Sequence, residues 1–209
     1  MRQVDVLMVL RPINLNNSLI HAGYLSKAEQ DSLVADLRKV AMAAPFQRFS
    51  TRFGKQIGVQ MTSAGDYGWF SDQNGYRYVT NQSHGAPWPE IPNALIHLWR
   101  NLTSADRDPQ CCLINYYGEG VRMGLHQDND EADFGYPVLS ISLGDDALFR
   151  VGGSERHDPT QSVWLKSGDV VLLSGSSRLA YHGIDKTRFG SSSLLKKGGR
   201  LNVTLRVVD

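Results

Sequence analysis

The segment Arg200-Leu201-Asn202-Val203-Thr204-Leu205-Arg206-Val207 alternates polar and apolar residues without interruption. Because successive side chains of a β-strand point to opposite faces, its apolar residues share one face and its polar residues share the other. The alternation therefore predicts a strand that turns one face to a hydrophobic core. The polar face carries two arginines and an amide, which can bind a small dicarboxylate through charge-assisted hydrogen bonds. An edge strand with a solvated polar face would show the same pattern.

Further short strands are predicted upstream of this segment. They cover residues 111–117, 138–143, 147–151, 162–165, 169–173 and 179–182, and the strand around Arg200 extends over 200–208. Turn signals separate them: Gly118-Glu119-Gly120, Gly144-Asp145-Asp146, Gly152-Gly153 and Ser167-Gly168-Asp169. So many evenly spaced short strands favour a sandwich, a barrel or a jelly roll.

Two helices are predicted before these strands. Ser26 and Glu29 have the spacing of a capping box, and apolar residues then recur at helical spacing until Pro45. A second helix is predicted from near Pro92, where the apolar residues again share one face. Helices that pack on one side of a mainly β structure give the class α+β, mainly β.

The length of 209 residues fits one domain, residues 1–209. Within it we expect an N-terminal extension and helix over 1–45, a lid over 46–90, and a buttressing helix with the strand-rich core over 91–209. The lid segment is rich in glycine and in aromatic residues, namely Tyr67, Trp69, Phe70, Tyr76, Tyr78 and Trp88. These could form a hairpin over the mouth of the core, or simply pack against the core as most aromatic residues do.

Composition predicts a soluble cytoplasmic protein. Hydrophobic residues make up 41% and charged residues 21% of the chain, and no apolar run is long enough to span a membrane. The first residues lack the arrangement of a secretory signal. Cys111 and Cys112 are adjacent, so we expect them to be reduced packing residues and not a disulfide.

The net charge of +1 is low for a nucleic-acid-binding protein, but the charges are unevenly distributed. Basic residues cluster at Arg48, Arg52 and Lys55 and again at Lys186, Arg188, Lys196 and Lys197, whereas Asp128, Asp130, Glu131 and Asp133 crowd the middle. This distribution fits either a basic rim around an acidic centre or an ordinary solvated surface.

His126-Gln127-Asp128, followed later by His182, is a candidate metal site. Residues i and i+2 of an extended chain share a face, so His126 and Asp128 can point to the same place. Two imidazoles and one carboxylate form the facial triad of non-haem iron(II) oxygenases, although the same set also suits zinc. Upstream, Asn115 and Tyr117 share a strand face and can donate hydrogen bonds to the same small acid.

Taken together, these motifs resemble the AlkB-type nucleic-acid dealkylases over about residues 40–207. The matching blocks are Met61-Thr62 with Gly68-Trp69 and Gly75-Tyr76-Arg77-Tyr78; Leu113-Ile114-Asn115-Tyr116-Tyr117; Leu125-His126-Gln127-Asp128-Asn129-Asp130-Glu131; and Ser177-Arg178-Leu179-Ala180-Tyr181-His182-Gly183 with Arg200-Leu201-Asn202-Val203-Thr204-Leu205-Arg206. Tyr116 and the turn Gly118-Glu119-Gly120 depart from the family pattern. Neither departure touches the candidate metal ligands, so they leave the substrate preference in doubt but not the type of reaction.

The resemblance implies a double-stranded β-helix of the jelly-roll type and a role for each matching residue. It implies iron(II) ligands at His126, Asp128 and His182, and 2-oxoglutarate contacts at Asn115, Tyr117, Arg200, Asn202 and Arg206. It further implies substrate contacts at Met61, Trp69, Tyr76, Asp130 and Arg156.

The function implied by the resemblance is the oxidative demethylation of bases such as 1-methyladenine and 3-methylcytosine in DNA or RNA, with iron(II), 2-oxoglutarate and O₂. The sequence leaves the oligomeric state open, and we assume a monomer. Three alternatives remain at this stage. They are a dioxygenase that acts on a small molecule or a protein side chain, a non-catalytic reader of damaged strands, and a metal-free binding module.

Overall fold

The computed structural model describes residues 11–209. The predicted absence of a secretory signal depends in part on residues 1–10, which lie outside the described residues. The elements are β1 (Ile13–Leu15), β2 (Ser18–His21), α1 (Lys27–Ala43), β3 (Gln60–Gly65), β4 (Gly68–Asp72), β5 (Gly75–Val79), α2 (Asn93–Leu102), β6 (Cys111–Tyr117), β7 (Met123–His126), β8 (Val138–Gly144), β9 (Ala147–Val151), β10 (Gln161–Leu165), β11 (Val170–Leu173), β12 (His182–Thr187) and β13 (Arg200–Arg206).

The strands form two main antiparallel sheets and a separate hairpin. The larger sheet has the order β1-β2-β11-β8-β13-β6-β3, the smaller sheet has the order β10-β9-β12-β7, and β4 pairs with β5 alone. This mainly β arrangement with two helices confirms the predicted α+β class and is consistent with a jelly roll.

Strand β13 is central in the larger sheet, between β8 and β6. Its apolar residues Leu201, Val203 and Leu205 join a core that includes Leu33 of α1 and Leu95 of α2, so the helices cover this face of the sheet. The opposite face packs in a second core that contains residues of the smaller sheet. The interpretation of β13 as a solvated edge strand is therefore wrong, because its polar residues are enclosed between the two sheets.

The first helix begins and ends where the sequence predicts, and the second begins where it predicts. The Ser26 side chain accepts a hydrogen bond from the Glu29 backbone and the Glu29 side chain accepts one in return, which completes the capping box. Helix α1 ends at Ala43, two residues before Pro45, and α2 begins directly after Pro92. Within residues 11–209, no helix is long and apolar enough to cross a membrane.

Several strands differ from the prediction. Of the predicted strand at 179–182, residues 179–181 form a turn and loop that follow a short 3₁₀ helix at Gly175–Ser177, and the strand begins only at His182. The hairpin β1-β2 and strands β3 and β7 were not predicted. Segment 46–90 contains the hairpin β4-β5, but it also supplies β3 to the larger sheet, so the sheet includes part of the segment that we expected to form the lid.

The two cysteines are buried and unbonded, as predicted. Burial raises the pKa of Cys111 to about 12 and that of Cys112 well above its ordinary value. Both thiols therefore stay protonated at neutral pH and act as small apolar packing groups.

Candidate active site

His126, Asp128 and His182 meet between the two sheets. His126 ends β7 and His182 begins β12, and the two residues are paired across the antiparallel ladder, with ring centroids 4.6 Å apart. The Asp128 carboxylate lies 3.8 Å from His126 Nε2 and 3.7 Å from His182 Nε2. The strand ends before Asp128, so this carboxylate reaches the histidines from a loop and not from an extended strand as predicted.

The backbone fixes which nitrogen of each histidine faces this triad. His126 Nδ1 lies 3.0 Å from the carbonyl of Gly124, and His182 Nδ1 lies 2.9 Å from the carbonyl of Ala180. A carbonyl oxygen can only accept, so each Nδ1 carries a proton and Nε2 is the ring nitrogen that faces Asp128. This is the orientation that a metal-binding histidine requires.

The charge states of the triad also suit a divalent metal. Burial, together with the neighbouring His126, lowers the pKa of His182 to about 4, so the ring is neutral at physiological pH. Burial acts to raise the pKa of Asp128, but the positive charge of Arg206 and the smaller electrostatic effects of His182, His126 and Arg178 together outweigh it and lower this pKa well below its ordinary value. Two imidazoles and an ionised carboxylate, all with ligand atoms within 4.8 Å of one another, form a three-ligand set.

Beside the triad, the polar faces of β6 and β13 meet. Asn115 is directly opposite Asn202, and Tyr117 is opposite Arg200. Arg200 is 1% exposed and donates to Ser142 Oγ at 2.9 Å, and Asn202 donates to Ser140 Oγ at 2.7 Å. A fully buried arginine with one side-chain partner is unusual in the absence of a bound anion.

Several buried atoms in this region lack a hydrogen-bond partner among the described residues: Asn115 Oδ1, Arg200 Nε and Nη1, and Arg206 Nε. Buried polar groups in proteins are nearly always satisfied, so these atoms indicate a ligand-binding site. The unpartnered donors belong to two arginines at opposite ends of β13, which matches a molecule with an anionic oxygen group at each end. The residues present therefore fit 2-oxoglutarate.

A buried charge network connects the triad to the β4-β5 hairpin. Arg206 lies 2.9 Å from Asp128 and 3.1 Å from Glu131, and it donates to the Tyr78 hydroxyl at 3.0 Å. Tyr78 in turn donates to Glu131, whose other oxygen accepts from Arg178 at 2.9 Å. The sequence did not indicate these roles for Tyr78, Glu131 and Arg178, because polar residues in loops carry no periodic sign of burial.

Aromatic residues lie at the mouth of the site. The Trp69 ring stacks on Tyr76 with centroids 5.3 Å apart and 25° between planes, and Trp69 Nε1 donates to Asp130 at 2.9 Å. Burial raises the pKa of Asp130, although the Trp69 hydrogen bond opposes this shift. Met61 is buried on β3, and the exposed Arg156 donates to the Leu125 carbonyl at 3.1 Å.

A single cavity of about 630 Å³ connects these groups. All of the predicted site residues line it: Met61, Trp69, Tyr76, Asn115, Tyr117, His126, Asp128, Asp130, Arg156, His182, Arg200, Asn202 and Arg206. Its volume is in the range of small-molecule sites and is large enough for a co-substrate and part of a second reactant. Thr51, Lys55 and Gln56 also line the cavity, and no motif in the sequence indicated them.

The family model for the 2OG-Fe(II) oxygenase superfamily matches residues 18–206. The chain belongs to this superfamily. Oxygenases of this family use iron(II), 2-oxoglutarate and O₂, so family membership decides between iron and zinc at the triad. Family membership also excludes two of the alternative functions, the metal-free binding module and the non-catalytic reader of damaged strands.

Similar proteins place the oxygenase among the AlkB homologues. It is 49% identical to an alpha-ketoglutarate-dependent dioxygenase AlkB homolog of Caulobacter vibrioides over 95% of this chain and 91% of the relative. It is 38% identical to the dioxygenase AlkB of Escherichia coli over 84% of this chain and 83% of the relative. A protein of Arabidopsis thaliana named DNA N(6)-methyladenine demethylase ALKBH1A is 36% identical over 54% of this chain and 34% of the relative.

A solved structure has the same fold as this oxygenase. The structure of OsALKBH1 superposes with a TM-score of 0.75 at 29% sequence identity, and the match covers 95% of this chain and 98% of that one. The fold and the cofactor chemistry are therefore those of an AlkB-type iron(II)/2-oxoglutarate-dependent dioxygenase.

Proposed function

We propose that this dioxygenase removes alkyl groups from damaged bases, such as 1-methyladenine and 3-methylcytosine, in DNA or RNA. It would act as a cytoplasmic monomer and repair the base directly. The observation that carries the proposal is the position of the Trp69–Tyr76 stack, which lines the same cavity as the His126, Asp128 and His182 triad. A planar base that enters between these groups would present its substituent to the metal.

In this proposal His126, Asp128 and His182 hold iron(II), with the two Nε2 atoms and the carboxylate as ligands. The bound metal supplies the oxidation, in which O₂ and 2-oxoglutarate yield succinate and CO₂ while the N-methyl carbon is hydroxylated and then leaves as formaldehyde. The protein has to position both reactants and keep bulk water away from them.

The co-substrate would lie along β13. Arg200 is supported by Ser142 and enclosed by Tyr117, whose ring lies 5.2 Å from the guanidinium carbon, and its free Nε and Nη1 would bind the distal carboxylate. Arg206 would bind the other end through its free Nε, with Asn115, Asn202 and Tyr117 as additional contacts. An arginine presents a planar pair of donors to a carboxylate, which a lysine cannot do.

The base would leave its stack and enter between Trp69 and His126, with Tyr76 as a contact to the damaged strand and Met61 and Arg156 as further lining. Lesions such as 1-methyladenine block Watson–Crick pairing, so their extrusion costs less than that of an intact base. Trp69 is already fixed by its hydrogen bond to Asp130 and by edge contact with Phe49 at 5.9 Å. A platform that is held before binding loses little entropy when a base stacks on it.

Asp130 would select for charged lesions. Methylation at these base nitrogens produces a cation, and a carboxylate beside the aromatic platform attracts a cation in preference to a neutral adduct. The Trp69 hydrogen bond holds one carboxylate oxygen, which leaves the other available to the base edge. The same platform without a carboxylate would stack both kinds of base equally.

The main rival is a dioxygenase of small molecules or protein side chains, which would share the triad and the arginines. Trp69→Ala distinguishes the two, because only base stacking predicts a selective loss with nucleic acid. We expect it to reduce demethylation of a 1-methyladenine oligonucleotide about tenfold or more while uncoupled succinate formation persists. Trp164→Ala, on β10 and outside the cavity lining, is the matched control. Equal activity of the Trp69 variant and the control would contradict the proposal.

A further inference from the structure

Gln127 stands between two of the metal ligands in the sequence, and the proposed function leaves it without a role. Its side chain is partly buried, and the amide nitrogen donates to two backbone carbonyls, those of Leu179 at 2.7 Å and Ser154 at 3.1 Å. Neither acceptor belongs to a β-strand, because Leu179 lies in the turn before β12 and Ser154 lies in the loop between β9 and β10. A side-chain amide has two N–H donors, which matches the two acceptors.

The Leu179 carbonyl belongs to the turn that orients the third ligand. The next residue, Ala180, donates its backbone N–H to the Ser177 carbonyl at 3.0 Å, and its own carbonyl accepts from His182 Nδ1 at 2.9 Å. The direction of the His182 ring therefore depends on where this turn lies. Gln127 holds the turn at Leu179, one residue from the carbonyl that fixes the ring.

A second hydrogen bond joins the same two segments in the opposite direction. Arg178, at the start of the turn, is buried, and its guanidinium donates to the Asp128 carbonyl at 2.6 Å. Residues 126–128 thus donate to residues 178–182 through Gln127, and residues 178–182 donate back through Arg178. These two segments carry all three ligands, His126, Asp128 and His182. We call the pair Gln127 and Arg178 the clasp.

The other hydrogen bond of Gln127 extends the clasp to the loop between β9 and β10. Ser154 lies in this loop with Arg156, whose guanidinium carbon lies 5.7 Å from the centre of the Tyr181 ring. The backbone N–H of Tyr181 also donates to the Gly153 carbonyl at 2.8 Å. The loop is therefore attached both to the turn before His182 and to the residue between the other two ligands.

We propose that Gln127 is a positioning residue that holds the three ligands in the metal-binding arrangement before the metal arrives. The inference rests on the metal site of the proposed function and deepens it, but it does not depend on the substrate. Besides the clasp, the two ligand-bearing segments meet in the ladder between β7 and β12, whose register shifts next to His182. Side-chain hydrogen bonds therefore have to define the ligand geometry there. Ligands that are ordered in advance lose less entropy on binding, which raises the affinity for the metal.

The test measures the affinity of the metal-free protein for Mn(II), with and without 2-oxoglutarate, from the electron paramagnetic resonance signal of free Mn(II). Gln127→Met keeps the length of the side chain and removes both donors. We expect it to bind Mn(II) about tenfold more weakly, at the lower end of the range for groups that orient metal ligands. Gln161→Met, at the exposed start of β10 and outside the cavity lining, is the matched control and should bind Mn(II) as wild type does.

Gln127→Glu separates the clasp from simple electrostatics. An added negative charge near a divalent cation would by itself tighten metal binding. The clasp predicts the opposite result, because glutamate has no donor for the two carbonyls and turns a carboxylate towards them. We therefore expect Gln127→Glu to bind Mn(II) more weakly than wild type.

A second readout reports on the clasp in the absence of metal. The His182 Nδ1 proton, which is donated to the Ala180 carbonyl, should exchange with water faster in Gln127→Met than in Gln161→Met when followed by ¹⁵N NMR. Equal Mn(II) affinities of these two variants, or tighter binding by Gln127→Glu, would overturn the inference. Absence of Mn(II) binding by wild type would instead refute the ligand set, and the exchange rate of the His182 ring proton would still decide whether Gln127 holds the turn. Neither readout involves demethylation, so a failure of the proposed substrate is distinguishable from a failure of the clasp.

Discussion

Replacing Glu131 with glutamine removes one negative charge from the centre of the buried network. The Glu131 side chain is fully enclosed, and it pairs with Arg178, which is 3% exposed, and Arg206, which is 6% exposed. Glutamine has nearly the same shape, but its side-chain NH₂ group would face an N–H group of one of the arginines. Two hydrogen-bond donors would then meet with no acceptor between them. Arg206 would then keep only the Asp128 carboxylate, and Arg178 would keep only the backbone carbonyls of Tyr136 and Asp128, which accept its hydrogen bonds at 2.7 Å and 2.6 Å.

The magnitude follows from the burial of these groups. Breaking a buried ion pair by removing one partner costs about 3–5 kcal/mol, because the other charge stays buried without compensation. For a chain of this length that loss corresponds to a fall in Tm of roughly 6–20 °C. The orientation of Arg206 should also loosen, so we expect the affinity for 2-oxoglutarate to fall together with the free energy of unfolding.

Urea denaturation followed by tryptophan fluorescence measures the free energy of unfolding, and titration of the Mn(II)-loaded protein measures 2-oxoglutarate affinity. Asp108→Asn is the matched control, because its carboxylate pairs with Arg100 at the surface and exposed pairs contribute about 0–1 kcal/mol. A loss for Glu131→Gln no larger than that of Asp108→Asn would refute the account of the network.

Three further predictions address separate parts of the structure. Arg200→Lys keeps the charge but loses the planar pair of donors, so the KM for 2-oxoglutarate should rise about tenfold or more in a succinate assay; an unchanged KM would exclude Arg200 as a carboxylate contact. Asp130→Asn keeps an oxygen for the Trp69 hydrogen bond, and it should reduce the preference for 1-methyladenine over a neutral adduct about tenfold in competition; an unchanged ratio would contradict the electrostatic role. Ser26→Ala removes the helix cap and should cost about 1 kcal/mol at pH 7. The Ser26 hydrogen bonds lower the pKa of Glu29 in the folded protein from its ordinary value of 4.5. The difference in the free energy of unfolding between wild type and Ser26→Ala should therefore be present above pH 4.5 and shrink as the pH falls through the folded-state pKa of Glu29. A difference that does not change with pH would count against the capping box.

Strand β13 could be predicted from the sequence, because its polar and apolar residues alternate. Strands β6 and β9 also lie at the predicted positions, since turn signals mark where they end. Strand β3, Gln60–Gly65, has buried residues on both faces and consists mainly of small or polar residues, so no alternation marks it. The hairpin β1-β2 turns through Asn16 and Asn17, both with positive φ, a turn that depends on two side chains and not on a pattern.

The misplaced strand before His182 has a specific cause. Arg178 is 2% exposed and its guanidinium donates to the Tyr136 carbonyl at 2.7 Å, to Asp128 and to Glu131. The chain follows a 3₁₀ turn there so that this side chain reaches the interior. A tertiary ion pair overrides the local preference for a strand, and no local pattern in the sequence reveals it.

The residues of the candidate site could be named from the sequence, because the chemistry of a motif residue is visible one residue at a time. The residues predicted around the triad and along β13 all line one cavity. Tyr78 and Glu131 were not assigned roles, since their burial depends on how distant segments of the chain meet. These two residues hold Arg206 in place beside the triad.

The central claim is tested most directly by the mass of a treated oligonucleotide. The protein is reconstituted with iron(II) and 2-oxoglutarate without oxygen, and it is then exposed to air together with an oligonucleotide that contains a single 1-methyladenine. Mass spectrometry measures the mass of the oligonucleotide afterwards. The account predicts that the oligonucleotide loses the mass of one methylene group, that the loss requires both additions, and that His126→Ala abolishes it. Succinate formation with an unchanged oligonucleotide mass would contradict base demethylation as the function of this dioxygenase.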